Sequence, residues 1–515
     1  MNRRIFLETC MAGAAGAFLA PRCFAEESSK PNILFIFSDD HACQAIGAYG
    51  SIINKTPNID RIAAEGTIFR NNFCCNSICA PSRATVLTGK HSHMNGQLTN
   101  RKRFNGKQMT FPKLLQKTGY QTAIFGKWHL GSNPTGFDEW MVFSSGQGAY
   151  YNPKYATPRG TWDGKGYSAN ITTNLALDWL NKREKNSNKP FLLMCQYKAP
   201  HRNWKAAPEY FTKYQNETIP EPPTLFDDYS GRTSSAGNHK MGIDKHMSMS
   251  YDLKVMDKPF GFTANDRKLW EETYGKENRE FKKANLQGKD LVRWKYQRYI
   301  KDYLRCVSAV DDNVGRILDH LKETGLDKNT IVIYSSDQGF YLGEHGWFDK
   351  RWMYEESLRM PLVMRWPGKI KPGSEIKAMT QNIDFAPTFL EAAGVAVPEE
   401  MQGKSIIPLL KNPDTEWRKS IYYHYHENQG HGVPAHYGVR TERYKLIHFY
   451  KSKEWELFDL KKDPQELNSV YDQADYQEIR ARLHKELDKL QRHYKIDASL
   501  LSSGKKEGER INEKT

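Results

Sequence analysis

Short apolar segments that end at polar or charged residues recur along the chain, and this pattern restricts the fold more than any other feature. The clearest are NILFIFSDD (32–40), YQTAIFGKWHLG (120–131), PFLLMCQY (190–197) and TIVIYSSDQG (330–339). Amphipathic helical patterns lie between them, at 56–66, 110–119 and about 288–324. Buried strands that alternate with helices predict an α/β fold, with a mixed, mostly parallel sheet and helices on both faces.

Polar side chains follow the predicted strands, at the edge of the sheet where such folds place their chemistry. In open α/β sheets, ligands bind beyond the carboxyl ends of the strands. The residues just past the predicted strand ends include Asp39, Asp40, His129, His201 and Asp337. We therefore expect a functional site along this one edge.

A different pattern begins near residue 413. The segments SIYYHYH, HYGVRTERYKLIHFY and WELFDL predict antiparallel strands, and a helix follows at about 476–494. The predicted organisation is a large α/β domain over 30–412, a smaller α+β domain over 413–500, and a disordered tail over 501–515. Within the first domain, residues 205–287 predict long loops and short helices, which either shape a cleft or run over the surface.

The first 25 residues have the build of an export signal. A basic start, a short apolar centre and a small-residue end predict cleavage after Ala25. The pair Arg3-Arg4 followed by Phe6-Leu7 resembles a twin-arginine signal, so we expect an exported, periplasmic protein. The alternative is a buried N-terminal helix.

Composition excludes some classes of partner. The net charge is +15, yet no long block of Lys and Arg points to nucleic acid. No apolar run after residue 30 approaches the length of about 20 residues that a membrane-spanning helix needs. The cysteines after the signal show neither the spacing of a disulfide scaffold nor a paired CxxC zinc pattern.

The acidic residues predict a metal site. Asp39 and Asp40 follow one strand, and Asp337 and Gln338 follow another. Three carboxylates that converge do not all stay ionised unless a cation joins them. Oxygen ligands suit Ca²⁺ or Mg²⁺ better than zinc. Adjacent aspartates alone are more often a loop pair or a helix cap, so the second acidic strand end carries this prediction.

Basic residues in the same region predict an anionic substrate. Lys127 and His129 are two residues apart, so in an extended segment they face the same way. Cations grouped beside a bound metal favour a substrate with several anionic oxygens, such as a phosphate or sulfate ester. The other basic residues of this group are Arg83, His201 and Lys350.

Cys79 precedes a predicted helix over about 81–88, with Pro81 in its first turn and Gly89 at its end. The helix N-terminus favours anions, so a thiolate is possible there. However, a soft thiolate is a poor partner for a hard cation and a poor nucleophile towards a sulfate ester. The residue types alone leave the role of this thiol unexplained.

The arrangement Cys79-x-Pro81-Ser82-Arg83-x-x-x-Leu87-Thr88-Gly89 resembles the signature of the type I sulfatases. Asp39-Asp40, GKWHLG, Pro200-His201, SSDQG and KRWMYEE also occur in the family's order. The resemblance implies an alkaline-phosphatase-like fold and a bound Ca²⁺ ion. It also implies that a maturation enzyme oxidises Cys79 to formylglycine, whose hydrated gem-diol is an oxygen nucleophile. The residues that match the family's calcium ligands are Asp39, Asp40, Asp337, Gln338 and the oxidised Cys79. Gln338 stands where many members have Asn, and it keeps an amide oxygen.

The resemblance also implies roles for the basic residues. Arg83 would orient the formylglycine, and Lys127 and Lys350 would hold sulfate oxygens. His201 would donate a proton to the leaving alkoxide after the gem-diol attacks sulfur. His129 would then take the proton from the second hydroxyl, and the aldehyde would be restored.

Within the family, the chain most resembles bacterial glycosaminoglycan sulfatases that remove the 6-O-sulfate of N-acetylglucosamine, as in heparan sulfate, keratan sulfate or mucin glycans. The segments that carry this resemblance are DDHACQAIGAYG, HSHMNG, YKAPHRNW and SDQGFYLGEHGWFDKRWMYEESLRMPL. A sulfated oligosaccharide is therefore the expected substrate. Asp349 and Arg351 flank Lys350 and would bind sugar hydroxyls, and His436 would close the pocket. Alternatively, these residues form a surface salt bridge and a strand edge.

The alternative functions are a sulfatase of other regiospecificity, acting on iduronate 2-sulfate or galactose sulfate, a phosphonate or phosphodiester hydrolase, and a non-catalytic binder of sulfated glycans.

Overall fold

The computed structural model describes residues 30–183, 189–256, 264–428 and 432–501. The predicted export signal over 1–25 lies outside these residues, as does the predicted tail apart from Leu501. From Pro31 onward the chain forms one compact unit, so the domain boundary near residue 412 stays a prediction. In the part of the chain that the structure describes, no helix has both the length and the apolar character needed to cross a membrane.

A ten-stranded sheet forms the centre of the fold. Strand β1 (Asn32–Ser38) pairs in parallel with β8 (Phe191–Gln196) on one side and with β9 (Thr330–Ser336) on the other. The other strands of this sheet are β2 (Thr67–Phe69), β4 (Gln121–Gly126), β5 (Glu139–Phe143), β6 (Lys154–Thr157), β7 (Gly160–Asp163), β12 (Leu362–Arg365) and β13 (Ser374–Ile376). Their order across the sheet is β13-β2-β12-β9-β1-β8-β4-β5-β6-β7. The strands from β9 to β5 are parallel, while β12, β6 and β7 run antiparallel to their neighbours, which confirms the predicted mixed sheet.

Helices cover both faces of this sheet, as predicted. In the described residues the α-helices are α1 (Pro57–Ala64), α2 (Cys79–Thr88), α3 (Ser92–Asn95), α4 (Phe111–Lys117), α5 (Ser168–Lys182), α6 (Ser234–Gly237), α7 (Ala264–Trp270), α8 (Lys276–Ala284), α9 (Gly288–Glu323), α10 (Glu355–Leu358), α11 (Phe385–Ala392), α12 (Ile407–Lys411) and α13 (Gln477–His493).

Strand β1 shows why both faces of the ten-stranded sheet are apolar. Successive side chains of a strand point to opposite faces. Phe35 and Phe37 pack into a core that includes residues of α2, α4 and α11. Leu34 and Ile36 pack into a second core that includes residues of α1, α5 and α9. A continuous apolar run is therefore needed at the centre of the sheet, and it makes β1 a rigid base for the residues that follow it.

The C-terminal part forms the predicted antiparallel sheet. Its strands are β15 (Ser420–Tyr425), β16 (His436–Thr441), β17 (Tyr444–Phe449) and β18 (Glu454–Asp459). Helix α13 packs Leu483, Leu487 and Leu490 against this sheet, and their spacing of four and three residues places them on one face of the helix. Two small ladders complete the structure, β3 (Asn72–Phe73) with β14 (Thr380–Gln381), and β10 (Tyr341–Leu342) with β11 (Phe348–Asp349).

Two local predictions were wrong. Helix α2 begins at Cys79, not near residue 81, so the cysteine belongs to the first turn of the helix. Strand β4 ends at Gly126, and His129 has a φ of 56°. Lys127 and His129 therefore do not lie in an extended segment, and the alternation of a strand does not explain why they come together.

Long loops and short helices occupy most of 205–287, as expected. This segment also reaches the end of β8. Arg202, which follows His201, donates two hydrogen bonds of 2.7 Å to the carboxylate of Asp252. At least part of the segment therefore borders the region where the strands end.

Gly126 fixes the path of the chain into Lys127. It has a φ of 101°, and a Cβ added there would lie 2.0 Å from the carbonyl oxygen of Gln196. The N–H of Lys127 donates to that same carbonyl at 2.8 Å. A side chain at position 126 would therefore push β4 away from β8 at the point where the functional residues begin.

We predict that Gly126→Ala lowers the free energy of unfolding by about 2–4 kcal/mol, because it combines backbone strain with a steric overlap. Gly119→Ala is a matched control, since Gly119 has a φ of 93° but nothing within 4 Å of an added Cβ. Gly119→Ala should lower the free energy of unfolding only by the backbone strain, about 1–2 kcal/mol. Urea denaturation measures both values, and equal losses would contradict the steric argument.

Candidate active site

Three aspartates meet beyond the ends of two neighbouring strands. Asp39 and Asp40 follow β1, and Asp337 follows β9. One carboxylate oxygen from each aspartate lies within 4.8 Å of the other two, and none of the three residues is exposed to solvent. The N–H of Asp40 donates to Oδ1 of Asp337 at 3.1 Å, which holds the two strand ends together.

Each carboxylate has a cationic partner from a different part of the chain. Arg83 of α2 lies 3.1 Å from Asp337 Oδ2 through Nε and 3.0 Å through a terminal nitrogen. Lys127 donates to Asp39, and Lys350 Nζ lies 2.6 Å from both oxygens of Asp40. The structure thus brings together the acidic and basic residues that the sequence singled out at distant positions.

The mutual repulsion of these carboxylates contributes to the shifts in their pKa values. Burial raises the pKa of Asp40 to about 7, although Lys350 opposes this, and the negative charges of Asp39 and Asp337 add to it. Burial and the charge of Asp39 also raise the pKa of Asp337 to about 6. Burial acts in the same direction on Asp39, but the charges of Lys127, His201 and Arg83 outweigh it and lower that pKa well below its usual range.

The donor set fits a hard divalent cation. The Nε2 group of Gln338 donates to Asp40 and Asp337, while its Oε1 is buried and has no hydrogen-bond partner within the described residues. An amide beside carboxylates can turn its oxygen towards a cation in their midst. Three carboxylates and an amide oxygen match the ligands of Ca²⁺, and a shared cation relieves their repulsion.

Cys79 lies at the edge of this cluster. Its Sγ is 3.3 Å from Asp39 Oδ1, and the residue is fully buried in the first turn of α2. Burial, followed by the charge of Asp39, raises the pKa of the thiol well above its usual range. The thiolate that the helix N-terminus suggested is therefore disfavoured, and Cys79 carries a neutral thiol here.

The two histidines differ in their partners. Nδ1 of His201 lies 2.6 Å from the carbonyl oxygen of Arg202, and its Nε2 lies 3.8 Å from Asp40 Oδ2. Nε2 of His129 lies 3.1 Å from the amide nitrogen of Gln147. Burial lowers the pKa of His201 well below its usual range, and burial and then Lys127 lower that of His129 to about 2, so both rings are neutral.

The residues beside Lys350 form an ion pair. Arg351 lies 2.7 Å from Asp349 Oδ2, and these two residues have φ values of 98° and 83°. The left-handed backbone at both positions turns the chain sharply around Lys350, whose Nζ also lies 3.8 Å from Asp349 Oδ1. Such strained conformations persist where the surroundings fix them, and they cluster at functional sites.

His436 lies among aromatic side chains. It is fully buried, and its Nδ1 lies 2.8 Å from the carbonyl oxygen of Pro434. Its ring neighbours are Trp352, Tyr423, Tyr425 and Phe449. Tyr423 also donates to the carbonyl oxygen of Arg351 at 2.5 Å. The aromatic side chains around His436 therefore support the backbone beside Lys350.

Sequence reasoning missed three residues of the site. Gln147 accepts from Lys127 at 2.8 Å, and Gln196 accepts from Arg83 at 3.0 Å. Lys198 is buried, and burial lowers its pKa to about 8. Lys198 stands two residues before the Pro200-His201 pair, and this position was a usable signal. The two glutamines carry no signal in the sequence, because their partners depend on which strands are neighbours.

The family comparisons agree with this geometry. The Sulfatase family model matches residues 31–395, and the model described as N-sulphoglucosamine sulphohydrolase, C-terminal, matches residues 343–493. The first match covers more than half of the chain. The protein therefore belongs to the sulfatase family, and it is an enzyme that hydrolyses sulfate esters.

Individual relatives are consistent with this assignment. The chain is 46% identical over 491 residues to an N-acetylglucosamine-6-O-sulfatase of Bacteroides thetaiotaomicron, which covers 91% of this chain and 88% of the relative. A solved structure of a protein in complex with its substrate D-glucosamine-2-N,6-O-disulfate has a TM-score of 0.89 and 46% identity, and the match covers 90% of this chain and 98% of that one. A phosphonate monoester hydrolase from Silicibacter pomeroyi has a TM-score of 0.70 and 21% identity, covers 90% and 96% of the two chains, and is similar in fold. These neighbours confirm the predicted alkaline-phosphatase-like architecture.

Proposed function

We propose that this sulfatase removes the 6-O-sulfate of N-acetylglucosamine in sulfated glycans such as heparan sulfate, keratan sulfate or mucin glycans. The observation that carries the proposal is the Asp349–Arg351 ion pair on either side of Lys350. A lysine that faces sulfate, with a carboxylate and a guanidinium beside it, suits an ester whose sugar carries free hydroxyl groups. The similarity to an N-acetylglucosamine-6-O-sulfatase supports the same substrate. The predicted export signal would place the enzyme in the periplasm, where such glycans are accessible.

We further propose that a maturation enzyme of the host converts Cys79 to formylglycine, and that Asp39, Asp40, Asp337, Gln338 and position 79 hold Ca²⁺. When present, the hydrated aldehyde supplies an oxygen nucleophile and the cation supplies positive charge beside the sulfate oxygens. Without a metal, three carboxylates face three cationic side chains. A divalent cation would give the buried site an excess of positive charge, which an anionic ester balances.

The chain's own residues then bind and orient the ester. Lys127 and Lys350 would hold sulfate oxygens, because each contacts a different aspartate of the carboxylate cluster. Arg83 fixes Asp337 and lies one helical turn from position 79, so it orients the nucleophile. His201 presents Nε2 to the cluster, and its Nδ1 faces a carbonyl oxygen, so Nε2 carries a proton only when the ring is charged. A bound anionic ester would raise the pKa of His201, and the charged ring would then donate this proton to the leaving oxygen of the sugar.

We predict that Ca²⁺ at about 100 times its Kd stabilises the enzyme by about 2.7 kcal/mol, because only the folded site gathers the ligands. Thermal melting before and after chelation measures the shift. Asp337→Asn should reduce the shift, whereas Asp311→Asn should keep it, because Asp311 is a buried aspartate that binds the N-terminus of α1. A melting temperature that does not respond to Ca²⁺ or to chelator would contradict the metal site.

We predict that Cys79→Ala abolishes sulfate release and leaves the melting temperature within a few degrees, because it removes the nucleophile but little volume. Cys75→Ala is the control, since Cys75 is also a buried thiol but lies outside the cluster. It should retain turnover. Mass spectrometry of the peptide that contains residue 79 should detect the aldehyde in the active enzyme. Wild-type activity in Cys79→Ala would overturn the assignment of the nucleophile.

We predict that Asp349→Ala and Arg351→Ala lower kcat/KM on N-acetylglucosamine 6-sulfate by about 10²-fold or more, because buried polar groups that recognise a hydroxyl discriminate strongly. Their loss on nitrophenyl sulfate, which has no sugar, should be less than about tenfold. Arg443→Ala, which removes an arginine from the pair with Asp459 on the C-terminal sheet, should affect neither substrate. Equal losses on both substrates would argue against recognition of the sugar.

The same assay separates the alternative functions. Free sulfate is measured with galactose 6-sulfate and iduronate 2-sulfate, and free product with nitrophenyl phosphate and a phenylphosphonate ester. A preference for another sulfated sugar would reassign the regiospecificity. A preference for the phosphorus esters would favour the phosphonate or phosphodiester hydrolase, and tight glycan binding without release of sulfate would favour a non-catalytic binder.

A further inference from the structure

The segment 66–137 has an unusual charge composition. It contains ten Lys and Arg residues and no Asp or Glu, although the whole chain has 60 acidic residues in 515. At that average, about eight acidic residues would be expected in a segment of this length. The same segment supplies four residues of the candidate active site, which are Cys79, Arg83, Lys127 and His129. The excess of positive charge therefore lies in a part of the chain that builds the site.

Most of the unpaired cations of this segment lie in one loop. Arg70 and Lys90 pair with glutamates, Lys113 donates to backbone carbonyl oxygens, and two further cations pair with the buried aspartates. Five cations remain, and four of these lie within seven residues of one another. We call them the cationic loop: Arg101, Lys102, Arg103 and Lys107. All four are exposed, and none has an acidic partner in the part of the chain that the structure describes.

Asn100 connects the start of the cationic loop to the first turn of α2. Its Oδ1 accepts from the N–H of Ala80 at 2.9 Å, and Ala80 follows Cys79, whose Sγ lies 3.3 Å from the carboxylate of Asp39. Arg101 is the next residue along the chain, so its Cα lies only about 3.8 Å from that of Asn100. The first cation of the loop is therefore close to the end of α2 that borders the carboxylate cluster.

Phe104 connects the loop to the segment that follows β4. Its N–H donates to the carbonyl oxygen of Leu130 at 2.9 Å, and its buried ring lies 6.5 Å from the ring of Trp128. Trp128 and Leu130 are the neighbours of His129 in the chain. The cationic loop is thus fixed on both sides to segments of the candidate active site, at the edge of the sheet where β4 ends.

The charge of this loop is suited to an anion that the chain itself does not supply. Neighbouring cations without acidic partners repel one another, and an anion that binds among them relieves this repulsion. Guanidinium and ammonium groups form charge-assisted hydrogen bonds with sulfate and carboxylate oxygens alike. The sulfate that is hydrolysed already has Lys127 and Lys350 as proposed partners, so the exposed loop is available for a different anionic group.

We infer that the cationic loop binds a second anionic group of the glycan, a sulfate or a carboxylate on a sugar beside the one that is desulfated. The inference rests on the proposed function for the identity of this glycan. It narrows the substrate to glycans that carry several anionic groups, such as heparan sulfate, and disfavours mucin glycans in which the 6-O-sulfate is the only charge.

Replacing all four cations by glutamine, as Arg101→Gln, Lys102→Gln, Arg103→Gln and Lys107→Gln together, tests this inference. We expect kcat/KM on a heparan sulfate tetrasaccharide that contains N-acetylglucosamine 6-sulfate and glucuronate to fall by about tenfold or more, mainly through KM, because several exposed ion pairs are lost at once. The kcat should change less than about twofold, since the loop does not contact the reacting atoms. On the monosaccharide N-acetylglucosamine 6-sulfate, kcat/KM should change less than about threefold. Added NaCl should weaken the tetrasaccharide reaction more in the wild type than in the variant.

A matched control removes four cations from the opposite edge of the sheet. Lys328 precedes β9, Lys322 lies in the last turn of α9, and Lys369 and Lys371 follow β12, whose Arg365 pairs with the third residue of β9. All four lysines are exposed and have no acidic partner within the described residues. Their joint replacement by glutamine removes the same charge and should change kcat/KM on the tetrasaccharide less than about twofold. An equal loss in both variants would overturn the inference, because net charge alone would then explain it.

Binding measurements need no turnover and separate this inference from the proposed function. A heparin octasaccharide should bind Cys79→Ala at least about tenfold more tightly than Cys79→Ala with the four loop substitutions. Unchanged affinity overturns the inference, even if the enzyme desulfates N-acetylglucosamine 6-sulfate. Weakened affinity in an enzyme that does not act on this sugar supports binding of an anionic glycan by the loop and contradicts the proposed substrate.

Two further measurements complete the test. Melting temperatures show whether the variants fold, and if the fourfold loop variant does not, Arg101→Gln with Arg103→Gln replaces it and should lower kcat/KM on the tetrasaccharide about threefold. Vesicles that contain phosphatidylglycerol examine a membrane as the partner. Vesicle binding that depends on the four cations, together with unchanged affinity for the octasaccharide, would assign the loop to an anionic membrane surface and overturn the inference.

Discussion

The site depends on the parallel pairing of β1 with β9. Ser38 and Ser336 are partners in this pairing, so the residues that follow them, Asp39 and Asp337, leave the sheet at the same level. Three buried carboxylates within 4.8 Å of one another repel strongly when water cannot screen them. The sheet holds them there because both strands are packed on two faces, and this leaves the rest of the chain to supply the compensating charges.

Those charges come from elements that are far apart in sequence. Arg83 belongs to α2, Lys127 follows β4, and Lys350 follows β11. Each reaches a different aspartate, so the loss of any one element would leave a buried carboxylate without its partner. The order of strands across the sheet is therefore as important to the chemistry as the residues themselves. This explains why the site joins segments from nearly the whole catalytic part of the chain.

Sequence patterns predicted the architecture well, because apolar runs and helical periods report burial directly. They also identified the residues at the strand ends. They failed where a side chain's neighbour depends on tertiary structure. The extended geometry expected for Lys127 and His129 was wrong because Gly126 turns the chain, and Gln147, which connects the two, carries no periodic signal. The early start of α2 at Cys79 was missed because Pro81 suggested a later first turn.

The complete burial of Cys79 also limits when that residue is chemically available. Its side chain lies in a helix whose ten residues are all buried, against the ends of β1 and β9. Another protein cannot reach an atom in that position once the sheet and α2 have closed around it. The maturation enzyme proposed above would therefore have to act before folding is complete, and the speed at which the chain collapses would limit the fraction of molecules that it could activate.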